Sequence, residues 1–168
     1  MNLELLNQSD KTKFVEYLGG IFEHSPWVAE AVYAQLPFAS RDALHGSMVA
    51  AMRSASEACQ LTLLRAHPEL AGKEASKGTL TAESTREQAG AGLDQCSADE
   101  LRQIQQLNRE YRERFDFPFI IAVTGLDKHQ VIAAMRHRIG NQANTEFDAA
   151  LAEVEKIAKI RIDALIDA

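Results

Sequence analysis

Apolar residues recur at helical spacing along almost the whole chain, and polar capping residues open one stretch after another. That rhythm restricts the fold to the all-α class. The clearest stripe is Leu101, Ile104, Leu107, Tyr111 and Phe115, opened by Ser97 and Glu100 at capping-box spacing. Ser84 and Glu87 repeat that spacing. Ser40 precedes Leu44, Met48 and Met52 on a helix expected to run on through Leu61 and Leu64 to His67. Ser9 is the expected cap of a helix carrying Phe14, Leu18 and Ile21. In "SPW", Ser25 is the expected N-cap and Pro26 the first helical residue, where a missing N–H does no harm. Val28, Val32 and Leu36 follow at helical spacing. Asp127 should cap a helix ending at Gly140, and Asn144 or Thr145 should open the last one. Residues 68–82 read as loop. The expectation is a single-domain helical bundle of about eight helices over residues 1–168.

One segment breaks the rhythm. "FDFPFIIAVTG" (115–125) is rich in β-branched and aromatic residues, which predicts an extended, buried stretch. Pro118 argues against a central strand there. Extended chain outside a sheet must find hydrogen-bond partners elsewhere, so the segment is either plain core or a wall that reads a planar, amide-rich ligand.

At 168 residues the chain is long enough to bury a proper core. Its net charge of −6 argues against nucleic acid as a partner. No apolar run reaches the ~18 residues a membrane span needs. Cys59 and Cys96 are the only cysteines, and the N-terminus lacks a signal-peptide pattern. The expectation is a cytoplasmic protein without a disulfide. The last residues, "LIDA", are not a peroxisomal address.

None of the five histidines forms H-E-x-x-H, and the cysteines lack zinc spacing, so no metal site is expected. There is neither a Gly-rich phosphate loop nor a G-x-S-x-G elbow. Three polar residues stand out instead. Arg161 lies within about 20° of Val154 on the last helix, inside the stripe of Phe147, Leu151, Val154, Ala158 and Leu165. A guanidinium there serves an internal salt bridge, snorkels to water, or binds an anionic ligand. Glu87 is either the reciprocal member of a capping box or a carboxylate held near a substrate. His67 ends a helix just before Pro68, which disfavours helical geometry at the preceding residue. It is either a structural histidine or an imidazole held still at the mouth of a cleft.

Taken together, "FEHSPWVAEAVYAQLPF" (22–38), "HPELAGK" (67–73), "LTAESTREQAGAGL" (80–93), "LNREYRERFDFPFIIAVTG" (107–125) and "NTEFDAALAEVEKIAKIRIDAL" (144–165) resemble the 2-oxo-4-hydroxy-4-carboxy-5-ureidoimidazoline (OHCU) decarboxylase family. The segments follow the family's order over nearly the whole chain. The resemblance implies an all-α fold and a decarboxylation without cofactor, the last step from urate to allantoin, commonly in a homodimer. It implies a catalytic His at His67 and a catalytic Glu at Glu87. It further implies a substrate-positioning Ser at Ser84, an anion-binding Arg at Arg161, and a pocket wall at Pro68, Phe119, Ile120 and Ile121. The partners it implies are the small-molecule substrate and product. One departure stands out: Asp116 occupies a position where the family pattern expects Gly. Two rival readings are a non-enzymatic helical module that binds ureides and a structural helical adaptor.

Overall fold

A computed structural model of the chain describes residues 1–167. Among the described residues it contains ten α-helices and no β-strand; the only ladder-like contact is an isolated bridge between Asn2 and Asp167. The chain divides into two compact units. One comprises residues 1–66 together with the chain from Val154 onward, and the other is His67–Glu153.

The first unit opens with α1 (Leu3–Asn7) and α2 (Lys11–Leu18), capped by the side chains of Asn2 and Asp10. Asp10, not Ser9, is the cap; the Ser9 hydroxyl instead donates to the Leu6 carbonyl at 2.7 Å. Helix α3 (Trp27–Val32) starts one residue later than the "SPW" signal suggests, with Pro26 at the N-cap and no side-chain cap bond. Ser25 turns its hydroxyl back to the Glu23 carbonyl at 3.0 Å, which removes it as a cap. The helical pattern does not reach Leu36, because a 3-10 turn over Tyr33–Gln35 leads into extended backbone before Pro37.

Ser40 caps α4 (Arg41–Ser54) as expected. The long helix predicted to run on to His67 is broken at Ala55, whose backbone is extended, and resumes as α5 (Glu57–Ala66). The Gln60 amide donates to the carbonyls of Met52 and Arg53 at 3.2 and 3.0 Å, so the break costs these terminal acceptors little. The unit closes around Phe14, Leu18, Phe22, Val28, Leu44, Met48, Met52 and Leu64, with Ala158 and Ile162 from the end of the chain.

The second unit begins with the loop at His67. Residues 68–82, read as loop, contain a short helix, α6 (Lys73–Lys77), closed by Gly78 in the left-handed region. Helix α7 (Ala82–Gly90) is capped by Thr81, whose hydroxyl accepts the Ser84 N–H at 3.2 Å. The expected Ser84–Glu87 capping box is therefore absent: both residues lie inside the helix, past the cap. The box at Ser97 and Glu100 is present and opens α8 (Ala98–Phe115). Asp116 ends α8 with φ of 65°, donating its N–H to the Arg112 carbonyl at 2.8 Å. This is the left-handed cap geometry that favours Gly, and Asp is among the few other residues that adopt it readily.

From residue 117 to 123 the chain forms neither helix nor strand, and Phe117, Phe119, Ile120 and Val123 are buried. Asp127 caps α9 (Lys128–Arg138) in a second capping box, with Gln130. The last helix, α10 (Ala143–Leu165), starts just before the Asn144 or Thr145 expected to open it. Its first half belongs to this unit and its second half to the other. Short helices α1 and α6, and the break at Ala55 that divides one expected helix in two, are the additions to the helices marked in the sequence.

Candidate functional site

His67 follows directly on the end of α5 and is buried, and Pro68 comes next. The loop they open is pinned at three successive residues. The Glu69 carboxylate accepts from Arg112 Nε at 2.9 Å. The Leu70 carbonyl accepts from Asn108 Nδ2 at 2.9 Å. The Ala71 N–H donates to Gln88 Oε1 at 2.9 Å. Ala71 itself has φ of 48°, an uncommon backbone for a residue with a side chain. Gly72 then has no room for a side chain, since a Cβ there would lie 2.7 Å from that of Glu69. A loop this tightly tied holds its first residue, His67, in a defined place.

Gln88 sits on α7 one residue after Glu87 and four after Ser84. At 100° per residue these three share one face of the helix. Ser84 and Gln88 are buried and Glu87 is half-buried. The Gln88–Ala71 bond therefore seats that face of α7 against the loop that His67 opens. With the capping-box explanation gone, Glu87 has no role at the start of its helix.

The third element of the unit is the irregular segment carrying Phe119, Ile120 and Ile121. Arg138 donates from Nη1 to the Ile120 carbonyl at 2.6 Å, and its guanidinium lies 4.5 Å from the Phe119 ring centroid. Tyr111 also meets Phe119 in a T-shaped contact, centroids 5.3 Å apart. The Glu153 carboxylate accepts the Ala122 N–H at 2.9 Å. One turn of α8 thus serves both parts of the site: Asn108 and Arg112 hold the His67 loop, and Tyr111 holds Phe119.

Behind Phe119 lies a buried polar network. Glu146 is fully buried and accepts from Arg138 Nη2 at 2.9 Å, from Asn141 Nδ2 at 2.9 Å, and from the Tyr111 hydroxyl. Burial pushes the Glu146 carboxyl up, but the bonds from Arg138, Tyr111 and Asn141 outweigh it and hold the group below its ordinary range. Burial, and then the hydrogen bond to Glu146, raise the Tyr111 hydroxyl far above the ordinary tyrosine value. Glu146 is therefore an anion at neutral pH, and Tyr111 a neutral donor.

Arg161 lies in the first unit, buried as its place in the apolar stripe predicts. Its Nη1 meets Glu23 Oε2 at 2.7 Å and the Gly20 carbonyl at 3.3 Å. The salt-bridge reading of Arg161 is thus realised, with Glu23 as its buried partner. Sequence reasoning missed Glu23, Gln88, Asn108, Arg138 and Glu146. Only Asn108 carried a signal, a polar residue seven positions beyond Leu101 on the buried stripe of α8.

Among the described residues no three His, Cys, Asp or Glu side chains lie close enough together to hold a metal ion. No helix among them is long and apolar enough to cross a membrane.

The family model for OHCU decarboxylase matches residues 7–163, so this chain belongs to that family. The chain is similar to 2-oxo-4-hydroxy-4-carboxy-5-ureidoimidazoline decarboxylase of Haloferax volcanii, 43% identical over 96% of this chain and 94% of the relative. It is also similar to the enzyme of the same name from Mus musculus, 39% identical over 100% of this chain and 94% of the relative. Among solved structures it resembles (S)-allantoin synthase, with a TM-score of 0.81 and 31% identity over 99% of this chain. The chain spans about half of that protein, 55% of its length.

Proposed function

We propose that this chain decarboxylates 2-oxo-4-hydroxy-4-carboxy-5-ureidoimidazoline to (S)-allantoin, the last step from urate to allantoin. The observation that carries this reading is the likeness, over almost the full length, to proteins named for that reaction. The substrate carries a carboxylate and a hydroxyl on one ring carbon, beside a C=N carbon bearing the ureido group. When the bond to the carboxylate breaks, its electron pair moves toward the adjacent C=N, and CO2 departs. The substrate is its own electron sink, so no borrowed cofactor is needed. One proton must then reach one face of the ring as the enol collapses to the carbonyl.

The protein's task is orientation, charge placement and delivery of that proton. His67 engages the hydroxyl beside the departing carboxylate and shifts its proton, the general acid–base role for which an imidazole is the commonest side chain. Glu87 orients the N–H donors of the ureido group and ring. Ser84, Pro68 and the main chain at Phe119, Ile120 and Ile121 complete the cage. Arg161 takes anionic or carbonyl oxygens through its planar fork, while its Nη1 stays bonded to Glu23. The burial of Ser84 beside Gln88, and the pinning of the His67 loop by Gln88, support this division of roles. The working protein is a homodimer in the cytoplasm.

Turnover of freshly generated substrate, followed by circular dichroism of the product, tests the reading. It predicts accelerated formation of the (S) enantiomer. Racemic product at the uncatalysed rate would refute it and favour a module that merely binds ureides.

A further inference from the structure

We infer that Arg138, held by Glu146, is a positioning residue for the reaction, setting the direction of the Ile120–Ile121 peptide in the pocket wall. The inference rests on the functional reading above and assigns a role to residues that reading leaves unused.

A buried segment outside helix and sheet has no regular hydrogen-bond ladder to orient its peptides, so side chains must do it. Here two charged groups do so at adjacent sites. Arg138 Nη1 takes the Ile120 carbonyl at 2.6 Å, and Glu153 takes the Ala122 N–H at 2.9 Å. The Ile120–Ile121 bond is trans, so a planar peptide whose carbonyl points toward Arg138 directs its Ile121 N–H the opposite way. Fixing one end of this peptide therefore aims the other. The Phe119 ring before it is in contact with both the Arg138 guanidinium, at 4.5 Å, and the Tyr111 ring, at 5.3 Å.

Arg138 is itself immobilised. Its Nε lies 3.1 Å from both Glu146 oxygens and its Nη2 2.9 Å from one of them. Three nitrogens of one planar group thus fix its orientation, two on Glu146 and one on Ile120. Tyr111 and Asn141 satisfy Glu146 from other sides, so the carboxylate cannot swing away. A buried ion pair is weak evidence for stability, because well-packed apolar residues often do as well. Apolar residues could fill this space. They could not hold a carbonyl at a set angle. Arg138 touches no reacting atom; it acts through the main chain of Ile120 and Ile121.

Arg138→Lys keeps a cation beside Glu146 but cannot span Glu146 and the Ile120 carbonyl with one rigid fork. The expected result is a kcat about ten- to a hundredfold lower per folded molecule, as misplacement of reacting groups produces. The stereochemical purity of the allantoin should fall with it, which a purely structural role would leave unchanged. In the ligand-free protein, the Ile121 amide resonance should move and its hydrogen exchange should quicken. That readout does not depend on turnover, so a failure of the functional reading is seen separately, in the wild type. Should Arg138→Lys not fold, the double variant Arg138→Met with Glu146→Gln removes both charges and keeps an acceptor for Tyr111. For either folded variant, wild-type kcat and stereochemical purity, or an unmoved Ile121 resonance, would overturn the assignment.

Discussion

Gln88 Oε1 accepts the backbone N–H of Ala71 at 2.9 Å, joining the helix that bears Glu87 to the loop that begins with His67. Ala71 is buried and its φ is 48°, so this bond sustains a backbone that would otherwise relax. Gln88→Leu keeps the volume and removes the acceptor, leaving a buried N–H unsatisfied. Urea denaturation should show a loss of about 1–3 kcal/mol, and turnover should fall as the His67 loop loosens. Gln88→Glu keeps an acceptor and should retain more of both. Stability within about 0.5 kcal/mol of wild type for Gln88→Leu would show that the bond carries nothing.

Glu146 makes stability depend on acid. Its carboxyl is held below the ordinary range in the folded protein, while the unfolded value is about 4.3. The folded state thus binds the proton less readily than the unfolded one. The stabilisation is complete above the unfolded value and is lost as pH falls through the folded one. Glu146→Gln abolishes this titration. The stability gap between wild type and Glu146→Gln, measured by urea denaturation, should be widest near pH 7 and narrow steadily below about pH 4. A gap independent of pH would contradict the direction assigned to Glu146.

The buried pair of Arg161 and Glu23 separates two uses of one guanidinium. Glu23→Leu alone strands a buried cation and should cost about 3–5 kcal/mol. Glu23→Leu combined with Arg161→Met should regain most of that stability, because an apolar pair fills the same space without a charge to solvate. If Arg161 also takes the ligand's oxygens, the double variant stays unable to bind allantoin in titration calorimetry despite being well folded. Recovery of wild-type affinity would confine Arg161 to the ion pair.

Local signals in the sequence were sound where neighbours in the chain decide the outcome. Ser97 with Glu100, Ser40 and Asp127 cap the helices they were expected to cap, and within the stretch 115–125 expected to break the helical pattern, residues 117–123 are neither helix nor strand and largely buried. Local signals failed where two nearby residues compete for one role. Asp10 displaces Ser9, and Thr81 displaces Ser84, because each competitor sits where its oxygen reaches the first free N–H groups. The long helix to His67 breaks at Ala55, where the Gln60 side chain folds back onto the carbonyls of Met52 and Arg53, a contact that no periodicity shows. The supports of the site were illegible for a related reason. Glu23 and Arg161 are 138 residues apart, and Asn108 and Leu70 are 38 apart, so no periodicity links them. Asp116 is the opposite case: the resemblance leads to an expectation of Gly there, and the left-handed backbone found at that position is the geometry that favours Gly.

The most direct measurement of the central claim is turnover by His67→Ala, with product chirality read by circular dichroism and folding checked by thermal melting. Glu69, Leu70 and Ala71 each tie the loop to α7 or α8, so the fold should survive loss of the imidazole. The account predicts a folded protein whose kcat is down by roughly 10²–10⁴ and whose allantoin is no longer a single enantiomer. A folded His67→Ala protein that still forms pure (S)-allantoin at the wild-type rate would contradict it.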